Sequence, residues 1–400
     1  MPIDAHAVDR PSAIAASTLL NTICLLPVML TPYIVGAAAR DLALDPRQLG
    51  LLAADLLGGA IVVMASSVFW VRICNWRALV ACGAMIAIAG DLLASRAHGF
   101  LALVTLLGVA SCGTGVVYAP SICALSDTQF PDRNFAYAFF LQIVVSGLTG
   151  FAITAFGQQW GLFGLLDLMA AFYGVALILA AWLPTKGAKN GTGKRAWPVP
   201  AAGLPIWGGL VGMLLLNAGP MAVWAFFERI GAAAGFSERS IGNGIAVAML
   251  MGAPGALFSS IAIKRFGRVG PLTISTLATT ATFAAAVLTH DFTVYMLSGL
   301  LFQFLVNFGL AFQYGAMSAA DVSGRLIVLG PTFQGVGGMA GPAIAGMVVR
   351  DNGYGWVAVL GAAFAVSGLL LMLWLCVTLA SGSDIPIPPN RCVVRDEGTL

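Results

Sequence analysis

Residues 45–50 read DPRQLG, and residues 237–242 read SERSIG, a shift of 192 that sets Arg47 over Arg239 and Gly50 over Gly242. Two further anchors keep nearly the same shift. PDR at 131–133 falls over SGR at 323–325, and VRICNWR at 71–77 falls over KRFGR at 264–268, with Arg72 over Arg265. Three anchors sharing one offset describe a chain built from two parallel repeats.

The residues between the anchors set the class of each repeat. The chain of 400 residues is 59% hydrophobic and 9% charged, where a soluble domain carries about a quarter charged residues. Apolar stretches recur from residue 11 to residue 383, each near the ~20 residues that a helix needs to cross a ~30 Å hydrocarbon core. A membrane barrel would show ~10-residue segments of alternating polarity instead. The expected fold class is an all-α polytopic membrane protein. Apolar runs between charged or Gly/Pro breaks predict twelve spans, numbered 1 to 12 in chain order: 13–38, 49–71, 78–95, 100–124, 134–156, 161–183, 205–229, 240–263, 270–288, 292–317, 326–349 and 355–380.

The longest break, TKGAKNGTGKRAWPVPAAG at 185–203, is polar, basic and closed by prolines. It divides the chain into a six-span bundle over 1–184, a cytoplasmic linker over 185–204, a second bundle over 205–383 and a short polar cytoplasmic tail over 384–400. The start, MPIDAHAVDR, places Asp4 and Asp9 ahead of Arg10, whereas a cleaved signal has a basic start and a shorter apolar core. With the amino terminus inside, 14 of the 20 Lys and Arg residues fall on the inner side and six on the outer side. Both termini are therefore expected in the cytoplasm and the protein in the inner membrane. The basic loops are accounted for by that rule, so no nucleic-acid partner is expected. Seven cysteines are scattered without CxxC or Cys/His spacing, so neither disulfide nor metal is expected.

On these residues the sequence resembles the major facilitator superfamily over essentially its whole length, in its bacterial efflux-permease-like branch. The family's GxxxDRxGRR loop between spans 2 and 3 is represented by SVFWVRICNWR, keeping Arg72 and Arg77 but with Ser67, Val71 and Cys74 at consensus positions. Its echo between spans 8 and 9, SIAIKRFGR, keeps Arg265, Gly267 and Arg268, with Lys264 where the acid would stand. DVSGR at 321–325 followed by GVGGMAGPAIAG at 335–346 is similar to the loop and span 11 of efflux permeases. Span 4 lacks the basic residue that many members carry, and the antiporter signature of span 5 is reduced to GLTG at 147–150. The resemblance implies a secondary transporter with a site between two halves, lined by spans 1, 4, 7 and 10. It also implies that spans 3, 6, 9 and 12 are peripheral.

Few residues in the spans carry charge. Asp55, in LGLLAADLLGGAIVV, maps to Val247 in the other repeat, so the fold does not require an acid there. A mid-membrane acid costs about 2.5–3.5 kcal/mol on insertion scales and usually turns toward protein or a wet cavity. Two readings stand: a carboxylate that senses protons or a cation, or an acid that locks span 2 to a neighbour. Glu228 closes span 7 in NAGPMAVWAFFERIG, opposite Gly36 in the repeat. Arg229 would pair with it, or with an acid of the facing half, as an outer gate; a solvated helix end is the alternative. Asp167 in span 6 is placed by the resemblance among the supports and is kept as the third proton-coupling candidate, while Asp91 sits close enough to the outer end of span 3 to reach interfacial water.

Uncharged polar residues fall on the four lining spans. Asn21, Tyr118, Asn217, Trp224, Gln303, Asn307 and Gln313 are the substrate-binding candidates. Gln303 and Asn307 share a helical face, and with Phe302, Phe304, Phe308 and Phe312 they suit a ring-bearing or amphipathic solute. Arg72, Arg77, Arg265 and Arg268, with Asp132 or Asp321 as acidic partners, are the gating candidates at the inner face. The expected function is alternating-access transport of a small neutral, cationic or amphipathic solute, as proton-coupled efflux or, alternatively, proton-coupled uptake. Protons and the lipid bilayer are the other expected partners, the expected state is a monomer, and no cofactor is expected. An enzyme would need a cluster of catalytic polar groups, yet His6, His98 and His290 all lie outside the spans. A non-transporting receptor would usually add a signalling domain.

Overall fold

The computed structural model describes residues 7–186, 203–320 and 329–381. Span 1 is α1 (Pro11–Met29) with α2 (Thr31–Asp41), span 2 is α3 (Pro46–Trp70), span 3 is α4 (Trp76–Ala94) and span 4 is α5 (Phe100–Ser126). Spans 5 and 6 form α6 (Pro131–Leu179), span 7 is α7 (Leu204–Ala233), and span 8 is α8 (Glu238–Leu250) with α9 (Gly252–Phe266). Spans 9 to 12 are α10 (Val269–Leu288), α11 (Phe292–Ala320), α12 (Gly330–Asn352) and α13 (Gly355–Ser381). Among the described residues eleven crossings are long and apolar enough to span a membrane by composition; glycine-rich α12, in the place of span 11, falls short of that measure. The chain is a multi-pass membrane protein. Loops 71–75 and 127–130 lie on one face of the bundle, the basic face, and loops 42–45 and 234–237 on the opposite one, the far face.

Three breaks in the helices have local causes. Span 1 bends at Leu30, where Pro32 has no N–H to give and the Leu30 carbonyl accepts from both Tyr33 and Ile34. The Met29 carbonyl is left without its usual helical donor. Spans 5 and 6 meet at Gly161, with φ 58° and ψ −165°. Its positive φ suits glycine, and a Cβ there would press on the Asp41 carboxylate. That carboxylate accepts the Leu162 N–H at 2.6 Å and so caps span 6. Span 8 breaks at Met251, ahead of Gly252 and Pro254.

The repeated hexapeptide does the same two jobs in each half. Its first residue caps a helix: Asp45 with Gln48 forms a capping box on α3, and Ser237 accepts from the Ser240 N–H on α8. Its last residue is a glycine packed against the other half. A Cβ on Gly50 would meet the Pro342 carbonyl and lie 2.9 Å from the Gly346 Cα, while one on Gly242 would meet the Thr154 side chain. The shift of 192 carries 50 to 242 and 154 to 346, so the two contacts are copies of each other. Deeper in the same seams Gly58 faces Met339 and Gly147 faces Leu250, again positions that the shift interchanges. α3 packs on α12 as α8 packs on α6, and the two-fold relation read from the sequence holds contact by contact.

The apolar core forks. Toward the far face a single cluster joins both halves, running from Leu26, Tyr33, Leu52 and Leu107 to Val223, Phe227, Ile241 and Tyr295. Toward the basic face there are two separate cores. One belongs to the first half, with Leu20, Trp76, Val117 and Tyr173; the other belongs to the second, with Leu210, Met213, Phe312 and Leu375. The halves are fused at one end and parted at the other. Exposed large side chains such as Val62, Phe69, Leu101, Phe140, Leu148, Ile274 and Leu301 cover the outside, the surface expected of a bundle in lipid.

Candidate functional site

The joint between the fused and parted regions lies where span 1 bends. Trp224 donates from Nε1 to the freed Met29 carbonyl at 3.2 Å. Its ring stacks on Phe302 with centroids 5.7 Å apart. A cavity of about 10 Å³ beside it is lined by Val28, Thr31, Leu57, Met221, Trp224 and Gly338.

On the basic side of this joint the two halves present separate polar groups. In the first half Asn21 faces the Tyr118 hydroxyl, and its Oδ1 is buried without a partner. In the second half Asn217 donates to the Gln334 carbonyl at 2.6 Å. The Gln334 side chain joins the Tyr314 hydroxyl at 2.7 Å and donates to Gln313 Oε1 at 3.3 Å. Tyr118 and Tyr314 lie within electrostatic reach of each other across the gap. Five of the seven substrate candidates thus fall around the joint or in these two clusters. Asn307 instead donates to the Gln303 carbonyl and lies beside Gly252 at the span 8 break, while the Gln303 side chain is buried.

The far end is closed by charge as well as by apolar packing. Arg40, at the end of α2, donates to Glu228 Oε1 at 2.8 Å and lies 3.3 Å from Glu238 Oε1. Arg229 approaches Glu228 Oε2 only to 3.8 Å. The Tyr33 hydroxyl donates to the Gly242 carbonyl at 2.6 Å. A cavity of about 50 Å³, room for a few waters, sits among Tyr33, Arg40, Thr154, Glu228, Glu238 and Arg239. Arg229 thus pairs with Glu228, one of the partners expected for it, and the contact between the halves is made by Arg40.

At the basic face the described contacts stay within each half. Arg72 pairs with Asp127 at 2.5 Å and lies over the Trp76 ring, 5.9 Å from its centroid. Burial pulls the Arg72 guanidinium down, but the Asp127 bond and nearby charge outweigh it and hold it above its ordinary range. Arg77 donates from Nε to the Leu183 carbonyl at 2.6 Å. Arg265 lies over the Phe266 ring and Arg268 is exposed ahead of α10. Asp132 stands in the first turn of α6, and Asp321 lies outside the described residues.

Asp55 does not point at the other half. On α3, Gly50, Leu57, Gly58 and Ile61 face α12. At about 100° per residue, Asp55 shares a sector with the exposed Leu51, Val62, Ser66 and Phe69. Its carboxylate rests on α5, where a Cβ on Gly108 would lie 3.1 Å from Oδ1, and Oδ2 is buried without a partner. Asp167 is exposed and accepts from Ser95 Oγ at 2.8 Å, tying the end of α4 to span 6. Asp91, expected to reach interfacial water, is instead buried in α4.

Sequence reasoning passes over Arg40, Asp127, Gln142, Ser146 and Gln334. Arg40 and Asp127 stand at helix ends, where charge is ordinary. Gln142 and Ser146, four apart in span 5, are buried with Oε1 and Oγ unpartnered; their i, i+4 spacing on a supposedly apolar span is the available signal.

Solved structures align with the chain over most of its length. A point mutant of the nucleoside transporter NupG superposes with a TM-score of 0.70 at 14% identity, covering 91% of this chain and 99% of that one. NupG itself gives 0.67 at 15%, covering 92% and 98%. A bacterial homologue of the human lysosomal transporter Spinster, in an inward-facing and unoccupied conformation, gives 0.63 at 16%, covering 93% and 96%. No protein-family model matches the sequence, and no curated protein matches it.

Proposed function

We propose that this chain, which has the major facilitator fold, is a secondary transporter that moves a small organic solute by rocking its halves about the joint at Trp224 and Met29. The single observation that carries this reading is the forked core. A pair of halves fused at one end and parted at the other is one of the two end states that alternating access requires, and the duplicated seams α3–α12 and α6–α8 are the surfaces on which such halves would pivot. The similarity to a Spinster homologue in an inward-facing conformation supports taking the parted end as the cytoplasmic one. The basic loops on that face agree with it.

The solute would meet Asn21 and Tyr118 from one side and Asn217, Gln313, Tyr314 and Gln334 from the other. All are uncharged hydrogen-bonding groups. A buried ion without a counter-charge is costly, so among the neutral, cationic and amphipathic classes this lining favours a neutral solute carrying several donors and acceptors. Efflux by proton exchange remains the proposed direction, with Glu228 better placed than Asp55 to link a proton to the movement of the halves. The test is a thermal-shift screen of neutral polar solutes on purified protein, followed by flux of any stabilising solute in proteoliposomes with and without a pH gradient. Saturable flux that Gln334→Ala weakens supports the reading. A panel of bound solutes, none of which crosses the membrane, refutes it.

A further inference from the structure

Resting on the transporter reading, we propose that Glu228 is a proton-binding site on the far side, and that a proton placed there releases the latch holding that end shut. The buried carboxylate contributes the strongest of the latch's charge contacts. Glu228 is 5% exposed, and its Oε1 takes the Arg40 guanidinium of the opposite half at 2.8 Å. Its Oε2 is buried with no hydrogen-bond partner and faces Arg229 at 3.8 Å, within ion-pair range but beyond hydrogen-bonding distance. One oxygen is committed to the latch, and the other, paired with Arg229 by charge but without a hydrogen bond, is the one that can take a proton.

The surroundings supply a route and an alternative partner. The cavity of about 50 Å³ touches Glu228 and is also lined by Glu238 and Arg239, both exposed at the far face, so water there connects the carboxylate with that side. The charged and titratable groups around it are Tyr33 and Arg40 from α2, Arg229 from α7, Glu238 and Arg239 from α8, and Tyr295 from α11, whose hydroxyl is tied to the Phe227 carbonyl. A proton from water binds Oε2. The carboxylate becomes a neutral acid, and the Arg40 guanidinium keeps its charge and turns to Glu238, already 3.3 Å away. Glu238 is half-exposed, and an exposed ion pair contributes little. Protonation thus exchanges a buried contact between halves for a weak one at the surface.

The test uses the full-length protein in nanodiscs. Spin labels are placed at the exposed Arg96 and His290, one on each half at the far face, in a background lacking other cysteines, and their distance distribution is measured from pH 8 to pH 5.5. The far-open population of the wild type should rise about tenfold on acidification. Glu228→Gln should be far-open at both values. Glu238→Gln, which leaves Arg40 without its alternative partner, should respond less than the wild type, and Asp55→Asn, which lies inside one half, should respond like the wild type. If Glu228→Gln keeps the wild-type pH response, or the wild type has none, the proposal is overturned. Solute counterflow in proteoliposomes separates the two readings: a protein that counterflows but does not respond to pH loses only the latch, whereas one without counterflow loses the transport reading itself. Circular dichroism and size-exclusion profiles of each variant exclude misfolding as the cause.

Discussion

Gly36 and Glu228 occupy equivalent positions in the two repeats and touch each other across the molecule, since a Cβ on Gly36 would fall on the Glu228 carboxylate. Residues that meet their own repeat partner lie close to the two-fold axis relating the halves. At such a place the two copies cannot both be acids, which would repel, and two glycines would leave a void. Divergence into one small and one charged residue fills the axis and lets Arg40 reach over Gly36 to the acid.

Gly36→Ala is therefore expected to displace the Glu228 side chain and loosen the far end. Overpacking of this kind costs about 1–3 kcal/mol, enough to shift a balanced pair of conformations by about tenfold or more. A membrane-impermeant thiol reagent should modify a cysteine placed at Thr154, in the far-end cavity wall, faster in Gly36→Ala than in the parent. Equal rates would show that the carboxylate has room to move aside.

The duplicated seams give a ranked prediction. Gly50→Ala sets a methyl against backbone atoms of Pro342 and Gly346, which cannot yield without separating α3 from α12. Gly242→Ala sets one against the Thr154 side chain, which can rotate. Thermal unfolding in detergent should show a clear loss for Gly50→Ala, about 1–3 kcal/mol, and a smaller one for Gly242→Ala. The reverse order would mean that the seams are not packed as described.

Much of this architecture is legible because it rests on periodic features: apolar length marks eleven of the twelve spans, glycine-rich span 11 aside, and the hexapeptide marks the repeat and its capping role. The positions of single charges are less legible. Asp55 stands out as a lone acid in an apolar run, but which way it faces depends on helix phase relative to neighbours, and no local pattern records that. Arg40 and Asp127 acquire their meaning only from partners 188 and 55 residues away. Gln334 is hidden among glycines at the start of span 11.

The Arg72–Asp127 pair ties the ends of spans 2 and 4 within one half, so its loss should weaken that half without changing which end is open. Asp127 is fully buried and Arg72 is 28% exposed at the side chain. Breaking the pair with Asp127→Asn should cost about 1–3 kcal/mol, less than a fully buried pair would. The guanidinium is held above its ordinary range in the folded protein. Its contribution is thus fully present below its unfolded value and lost only as pH rises past the folded one, so between pH 7 and about 10 the deficit of Asp127→Asn should stay constant. A deficit that vanished on raising pH across that window would assign the stabilisation to another group.

Asp55 provides the sharpest contrast with Glu228. Its carboxylate lies between α3 and α5, inside one half, on the face of α3 that carries exposed apolar side chains. Spans 2 and 4 move together if the halves rock as rigid bodies, so the packing of Asp55 on α5 would not change between the two end states. A group whose surroundings are the same in both states cannot bias the equilibrium between them, whatever its charge. Asp55→Asn should therefore retain the pH-gradient dependence of solute flux and change mainly thermal stability, through the contact with Gly108. Flux in proteoliposomes under an imposed pH gradient decides it: if Asp55→Asn abolished the gradient's effect and Glu228→Gln did not, the proton would travel by the second span and not by the latch.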